Sequence, residues 1–91
     1  MNIYFSKVIK VGDKQREFNF RKLPGNSQTS YHVDVTDDKG TRLVFSMYKD
    51  ASGRWHTSAQ TLPIWIHNAE EILGNVIEEE TKDFISLHNK Q

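Results

Sequence analysis

The chain has 91 residues, of which 36% are hydrophobic, and this content supports one small domain with one modest core. It contains no cysteine, which excludes a disulfide framework and thiolate metal sites. Twelve Lys and Arg residues balance twelve Asp and Glu residues, so the formal net charge of zero argues against a strong electrostatic trap for polyanions.

The charges are divided unevenly along the chain. Residues 1–62 hold ten Lys and Arg against six Asp and Glu, whereas residues 63–91 hold two against six. The first residues lack the basic start and the long apolar run of a signal peptide, and no segment reaches a membrane-spanning length. We therefore expect a cytoplasmic protein without a membrane partner, one domain over residues 1–91, with a basic part before an acidic part.

Two segments near the N-terminus alternate apolar and polar residues, which is typical of strands with one buried face. The first covers residues 3–11 and ends at Gly12-Asp13, with these apolar residues at alternate positions: Ile3, Phe5, Ile9 and Val11. The second covers residues 15–23 and places Phe18 and Phe20 on one face. Residues 24–27, Pro-Gly-Asn-Ser, then predict a loop.

A hairpin and a last strand follow. Tyr31, Val33 and Val35 alternate with polar residues, and residues 37–40, Asp-Asp-Lys-Gly, supply hairpin chemistry in which Gly40 takes a positive φ. The returning strand, residues 41–49, turns Leu43, Phe45 and Met47 inward. After a predicted turn at residues 50–53, we expect a last strand over residues 54 to about 60, around Trp55. The sheet thus extends over about residues 3–60.

From Pro63 the hydrophobic period becomes that of an amphipathic helix over about residues 63–88. The helix begins at Pro63 or at Asn68, which would form a capping box with Glu71. Gly74 inside it costs roughly 1 kcal/mol relative to Ala, so we expect close packing against the sheet there. The predicted apolar stripe comprises Trp65, Ala69, Ile72, Leu73, Val76, Ile77, Phe84 and Leu87. The acidic run at residues 78–80 reads as a solvated face.

One helix covers one face of such a sheet and leaves the other face open. Alternation assigns to that open face Asn19, Arg21, His32, Asp34, Arg42, Val44, Tyr48, Arg54, His56 and Gln60. Cations pair with phosphates and flat rings stack on unpaired bases, so this mixture suits single-stranded nucleic acid. An ordinary polar sheet face or a dimer interface is the alternative. Because a small domain with an open sheet gains stability by pairing, we expect a homodimer in either case.

Short motifs of the chain resemble the PUR repeat. They are Val33-Asp34-Val35, Lys39-Gly40, Arg42 before an alternating strand, and Thr61-Leu62-Pro63 before an aromatic-bearing helix, and the resemblance covers roughly residues 16–80. It implies a four-stranded curved antiparallel sheet followed by one helix, an order similar to that of the related Whirly proteins and transcriptional coactivators. It also implies dimerisation and binding of single-stranded DNA or RNA through the sheet. Residues 3–11 would add a fifth strand.

The resemblance implies that Lys39, Arg42 and Tyr48 lie near nucleic acid, with Arg21 and Arg54 as supporting cations. The chain differs from the family at Asp37 and Asp38, whose carboxylates we expect to repel phosphate at the hairpin. Together with the face pattern, the predicted nucleic-acid-binding residues are Arg21, His32, Lys39, Arg42, Tyr48, Arg54 and His56.

Catalytic and metal chemistry find little support. Three histidines and one carboxylate could bind a metal, but they are not closely spaced in the sequence as metal ligands usually are: His32, Asp34, His56 and His67. Ser52 lies in a predicted turn without the strand-to-helix elbow of a nucleophile. We therefore expect no enzyme, no cofactor, no metal and no small-molecule substrate.

The sequence predicts an α+β domain with a curved antiparallel sheet of four to five strands, followed by one C-terminal amphipathic helix packed on one face. We expect it to bind single-stranded DNA or RNA with little sequence preference. The alternative is a protein-interaction or regulatory module that uses the same sheet face without binding nucleic acid.

Overall fold

The chain folds into an antiparallel sheet followed by helices. This is seen in a computed structural model, which describes residues 3–24, 30–58 and 61–89 and the side chains up to Lys82. Within these residues five strands form one sheet in chain order: β1 Tyr4–Val11, β2 Lys14–Lys22, β3 Ser30–Thr36, β4 Arg42–Lys49 and β5 Trp55–Thr57. The helical segments are α1 Ile64–Asn68 and α2 Glu70–Asn89. The predicted α+β fold is confirmed.

The hairpin between β3 and β4 forms where the sequence predicts it. Gly40 has a φ of 83°, a region that side chains with a Cβ rarely adopt. Asp37 stabilises the turn, because its Oδ1 accepts hydrogen bonds from the backbone N–H groups of Lys39 at 2.9 Å and Thr41 at 2.8 Å. Thr36 and Arg42 therefore face each other across the start of the hairpin.

The core lies between one sheet face and the helices. The buried residues of the sheet are Ile9, Phe18, Phe20, Tyr31, Val33, Val35, Phe45, Met47 and Trp55. The helices add Ile66, Ala69, Leu73 and Ile77 to the same cluster. The predicted packing of the helix stripe on the face that carries Phe18, Phe20, Val33, Val35, Phe45 and Met47 is thus confirmed.

The helical region differs from the single predicted helix. α1 starts directly after Pro63, which stands at its N-cap, so the first of the two predicted starts is confirmed. Asn68 ends α1 instead of capping a helix, and Ala69 separates α1 from α2. The break is small, because the Leu73 N–H still donates to the Ala69 carbonyl at 2.8 Å.

The buried line of α2 also differs from the predicted stripe. It begins at Ala69, directly before α2, and continues through Leu73, Ile77 and Thr81 at intervals of four residues, with Gly74 buried beside Leu73. Ile72 is 42% exposed, so its predicted place in the core is wrong, whereas Ile66, absent from the predicted stripe, is fully buried. The predicted core side chains of residues 84 and 87 lie outside the described side chains.

Gly74 packs against Trp55, as expected of a glycine inside a helix that lies close to the sheet. A Cβ at residue 74 would lie 2.7 Å from ring atoms of Trp55. Trp55 itself is buried, so the contact with Gly74 belongs to the core. β5 itself is shorter than the predicted strand over residues 54 to about 60. Arg54 precedes it and Ser58 follows it, and Gln60 lies outside the described residues.

Ion pairs join the basic sheet to the acidic helix. Lys7 Nζ lies 2.9 Å from Glu80 Oε2, and Lys49 Nζ lies 2.6 Å from Glu78 Oε2. The Trp55 Nε1–H also donates to Glu78 Oε2 at 2.9 Å. Two carboxylates of the acidic run at residues 78–80 therefore contact the sheet, so the run is more than a solvated face. Neither described helix has the length and apolar character needed to span a membrane.

We predict that Leu73→Ala lowers the free energy of unfolding by about 2–5 kcal/mol, because it leaves a cavity in the core. Ile72→Ala is the matched control on the adjacent, exposed position and should cost roughly 1 kcal/mol or less. Urea unfolding measures both. Equal losses for the two variants would contradict the observed orientation of α2.

We also predict that Gly74→Ala destabilises the protein, although the same change in an ordinary helix interior stabilises it by about 1 kcal/mol. The added methyl group must displace the buried Trp55 ring, and such overpacking costs roughly 1–3 kcal/mol. Asn75→Ala, on the exposed neighbour, serves as the control in thermal unfolding. A higher melting temperature for Gly74→Ala would show that the contact with Trp55 is loose.

Candidate nucleic-acid interface

The open face of the sheet is the face turned away from the helices, and a row of three side chains crosses its β1–β3 side. Tyr4 on β1 lies opposite Arg21 on β2, and Arg21 lies opposite His32 on β3. Side chains that face each other on neighbouring strands have Cβ atoms about 4.5–5.5 Å apart. An aromatic ring, a guanidinium and an imidazole are therefore direct neighbours. We call these three residues the Tyr4 row.

The Tyr4 row is accessible to a ligand. Tyr4 is 64% exposed, and Arg21 is also exposed. Among the residues that the structure describes, no carboxylate forms an ion pair with the Arg21 guanidinium. Arg21 can therefore offer its full charge and its planar set of donors to an anion.

A hydrogen-bond network next to the Tyr4 row connects four strands. The Ser6 hydroxyl donates to Asn19 Oδ1, and Asn19 Nδ2 donates to Asp34 Oδ1 at 2.7 Å. Arg42 then donates to Asp34 Oδ2 at 3.1 Å. The network fixes the side chains in the middle of the open face, and Asp34 neutralises part of the charge that Arg42 brings.

The carboxyl of Asp34 is mostly covered, with 15% of its side chain exposed. Partial burial alone would raise its pKa, but the hydrogen bonds from Asn19 and Arg42, together with the positive charge of Arg42, outweigh burial and lower the pKa below its usual value. Asp34 is therefore charged at neutral pH and holds the guanidinium of Arg42 against the sheet.

Tyr48 and His56 form a second aromatic site on β4 and β5. Their ring centroids are 5.4 Å apart, and His56 Nε2 lies 2.7 Å from Asp50 Oδ2. Hydrogen bonds from the Ser52 hydroxyl, from His56 and from the Arg54 backbone hold the pKa of the Asp50 carboxyl well below its usual range. Both rings are half-buried, so less of each ring is free to stack on a base than at Tyr4.

The hairpin carboxylates are engaged within the chain. Asp37 caps the turn. Asp38 forms two ion pairs, one between its Oδ2 and Lys14 Nζ at 2.8 Å and one between its Oδ1 and Arg16 Nη1 at 3.1 Å. Hydrogen bonds from these two cations lower the pKa of Asp38. The repulsion of phosphate that we expected from both carboxylates is therefore reduced at Asp38.

The structure brings together only part of the predicted set. Arg21, His32 and Arg42 line one shallow depression together with Asn19 and Asp34. Tyr48 and His56 lie at the β4–β5 side, Arg54 lies in the turn beyond them, and Lys39 lies in the β3–β4 hairpin at the other end of β4. These four residues do not line the depression.

Sequence reasoning did not include Tyr4 among the site residues. Tyr4 lines the same depression as Arg21 and His32. The signal was present in the alternation of β1: Ile3 and Phe5 point to the core, so the residue between them must point to the open face. The cross-strand pairing with Arg21, in contrast, depends on the register of β1 against β2.

A larger groove lies on the opposite side of β5, between the β4–β5 turn and α2. Its lining includes Arg54, Trp55, Asn75 and the two carboxylates Glu70 and Glu71. Glu70 already accepts hydrogen bonds from the Thr57 backbone N–H at 2.6 Å and from its hydroxyl at 3.0 Å. The carboxylates would repel phosphate, so the open face is the better candidate for a polyanion.

The residues considered as metal ligands do not converge. Within the described residues no group of three His, Asp or Glu side chains has a geometry suited to hold a metal ion. His32 and Asp34 lie on the open face, whereas His67 lies on α1, against the other face of the sheet.

No protein-family model matches the chain, and no curated protein or solved structure is significantly similar to it. The resemblance to the PUR repeat therefore stays a prediction based on the short motifs in residues 33–63.

We predict that the stability of the protein falls as the pH drops below about 4, because Asp34 binds a proton less readily in the folded than in the unfolded state. Its contribution is present above the unfolded pKa and is lost as the pH falls through the lower folded pKa. Asp34→Asn should lose less stability than the unmodified protein between neutral and acid pH in urea unfolding.

Asp13→Asn is the control for this measurement, since Asp13 is an exposed residue of the β1–β2 turn. It should retain the pH dependence of the unmodified protein. The same pH dependence in Asp34→Asn would mean that the hydrogen bonds from Asn19 and Arg42 do not stabilise the charged carboxylate.

Proposed function

We propose that the protein binds single-stranded DNA or RNA through the open face of its sheet, with the Tyr4 row at the centre of contact. The observation that carries the proposal is the cross-strand order of Tyr4, Arg21 and His32. It combines an exposed ring with an exposed guanidinium that has no ion pair within the described residues. Single-stranded nucleic acid offers the two matching groups, unpaired bases and phosphates.

Each residue of the Tyr4 row has a distinct role in this proposal. The Tyr4 ring stacks on an unpaired base, an interaction worth about 1–3 kcal/mol. Arg21 pairs with a phosphate, and His32 adds a hydrogen-bond donor beside it. Arg42 contributes less charge than the sequence suggested, because Asp34 neutralises part of it. Stacking and phosphate contacts do not distinguish bases, so the binding has little sequence preference.

The distribution of charge supports the same face. Acidic residues are concentrated in residues 63–91, which include the helices on the other side of the sheet. A polyanion is therefore repelled from the helical side and attracted to the basic sheet. With few unpaired cations on the open face, affinity is modest and depends on salt. A cytoplasmic location and the absence of enzymatic activity stay predictions.

A protein-interaction or regulatory module is the second candidate. Three apolar side chains of the open face are exposed, namely Tyr4, Val8 and Val44. They are separated by polar residues, so they do not form one continuous apolar patch. An apolar protein interface changes little with salt, whereas nucleic-acid binding weakens as counterions are released, and this difference separates the two functions.

We predict that Arg21→Ala weakens the binding of a fluorescent single-stranded oligonucleotide and reduces the salt dependence by about one phosphate contact. Arg54→Ala removes an exposed arginine away from the Tyr4 row and is the matched control. Fluorescence anisotropy titrations at several salt concentrations give both affinity and salt slope. Equal effects of the two variants would mean that contact is spread over the basic sheet without a centre at the Tyr4 row.

We predict a different result for Tyr4→Ala, which should weaken binding by roughly 1–3 kcal/mol and leave the salt slope nearly unchanged. Tyr4→Phe keeps the stacking ring and should bind like the unmodified protein. If the unmodified protein binds no oligonucleotide at low salt, where charge contacts are strongest, the nucleic-acid proposal fails and the protein-interaction module becomes the better account.

A further inference from the structure

The two edges of the sheet are protected to different degrees. β5 has three residues, and Glu70 of α2 satisfies the Thr57 backbone N–H at this edge. β1 has eight residues and contains no proline. Within the described part of the chain, it pairs with β2 on one side only. A long unpaired strand of this kind is a template for pairing with another strand.

The backbone groups at the free edge of β1 can be assigned from its pairing with β2. The Lys22 N–H donates to the Ile3 carbonyl at 2.9 Å, so residues 3 and 22 form a hydrogen-bonded pair. Hydrogen-bonded residues alternate along an antiparallel strand. The N–H and C=O groups of Tyr4, Ser6, Val8 and Lys10 therefore point away from β2 and toward the free edge.

The exposed apolar side chains of the sheet lie mainly on the same strand. Tyr4 is 64% exposed and Val8 is 60% exposed, and both stand on the open face of β1. They lie two residues on either side of Ser6. We propose that β1 pairs antiparallel with β1 of a second copy of this chain, with Ser6 on the two-fold axis.

Pairing about Ser6 is self-complementary. Tyr4 of each copy then faces Val8 of the other, and aromatic and β-branched side chains pair favourably across strands. On the other face of the sheet, Lys7 of each copy faces Phe5 of the other. The two lysines stay apart, and each keeps its ion pair with Glu80 of its own chain.

Lys7 disfavours one of the two registers nearest to this one, the pairing about Lys7 itself. A lysine on the inner side of an edge strand opposes edge pairing. Pairing about Lys7 would place the two Lys7 side chains directly opposite each other, and like charges in that position are destabilising. It would also separate Tyr4 from Val8. The same lysine that blocks one register leaves the Ser6 register free.

The dimer is independent of the proposed function, although it would join both open faces into one surface with two Tyr4 rows. Its test needs no nucleic acid. Because the chain has no cysteine, a single introduced cysteine reports on one position without background. Facing residues of a hydrogen-bonded antiparallel pair have Cα atoms about 5.5 Å apart, which a disulfide spans.

We expect Ser6→Cys to form a disulfide-linked dimer under mild oxidation, seen on a non-reducing gel. Val8→Cys is the matched control on the same strand and face. In the proposed register its two cysteines lie about 13 Å apart, so it should not cross-link. Sedimentation of the unmodified protein at high micromolar concentration should give twice the chain mass of 10.6 kDa.

A third variant, Val8→Pro, removes an N–H that bonds only across the proposed interface, and proline is tolerated on edge strands. It should sediment as a monomer while circular dichroism shows the fold retained. The proposal is overturned if the unmodified protein is a monomer, if a dimer forms that Ser6→Cys does not link, or if Val8→Cys links as fast as Ser6→Cys.

Discussion

The contact of Gly74 with Trp55 determines how the helix lies on the sheet. With no Cβ at residue 74, the backbone of α2 comes within van der Waals distance of the Trp55 ring. The Trp55 indole N–H donates to Glu78 one turn further along α2, and Lys49 pairs with the same carboxylate. These contacts place Leu73 and Ile77 over the apolar face of the sheet, where they complete the core.

This arrangement leaves the second face of the sheet open. The helices cover one face, so the other carries the side chains that β1 to β5 direct away from the core. Carboxylates neutralise several cations of the sheet. Lys7 and Lys49 pair with glutamates of α2, and Arg42 pairs with Asp34. Arg21, which forms no ion pair with the residues that the structure describes, keeps its charge available beside Tyr4. In the proposed function, binding of a polyanion therefore depends more on which cations are unpaired than on the total charge of the chain.

Much of the fold follows from the sequence because alternation determines which side of a strand is buried. The period-two patterns of residues 3–11, 15–23 and 31–49 give four of the strands, and Gly40 marks the turn between the last two of them. The buried line along α2 is harder to predict from the sequence, because Gly74 and Thr81 belong to it and neither is a hydrophobic residue. Counting apolar residues alone therefore shifted the predicted stripe toward Ile72.

The candidate site was predictable only in part. Alternation correctly assigned Arg21, His32 and Arg42 to the open face, but the pairing of Arg42 with Asp34 depends on side-chain conformation, and the place of Tyr4 beside Arg21 depends on strand register.

The central claim, that the open face around Tyr4 contacts single-stranded nucleic acid, is tested most directly by an NMR titration of the ¹⁵N-labelled protein with a single-stranded oligonucleotide. The account predicts that the amide signals of Tyr4, Arg21, His32 and their neighbours on β1 to β3 shift first and furthest. Shifts confined to α2 or to the Tyr48 and His56 side of the sheet, or no shifts at low salt, would contradict it.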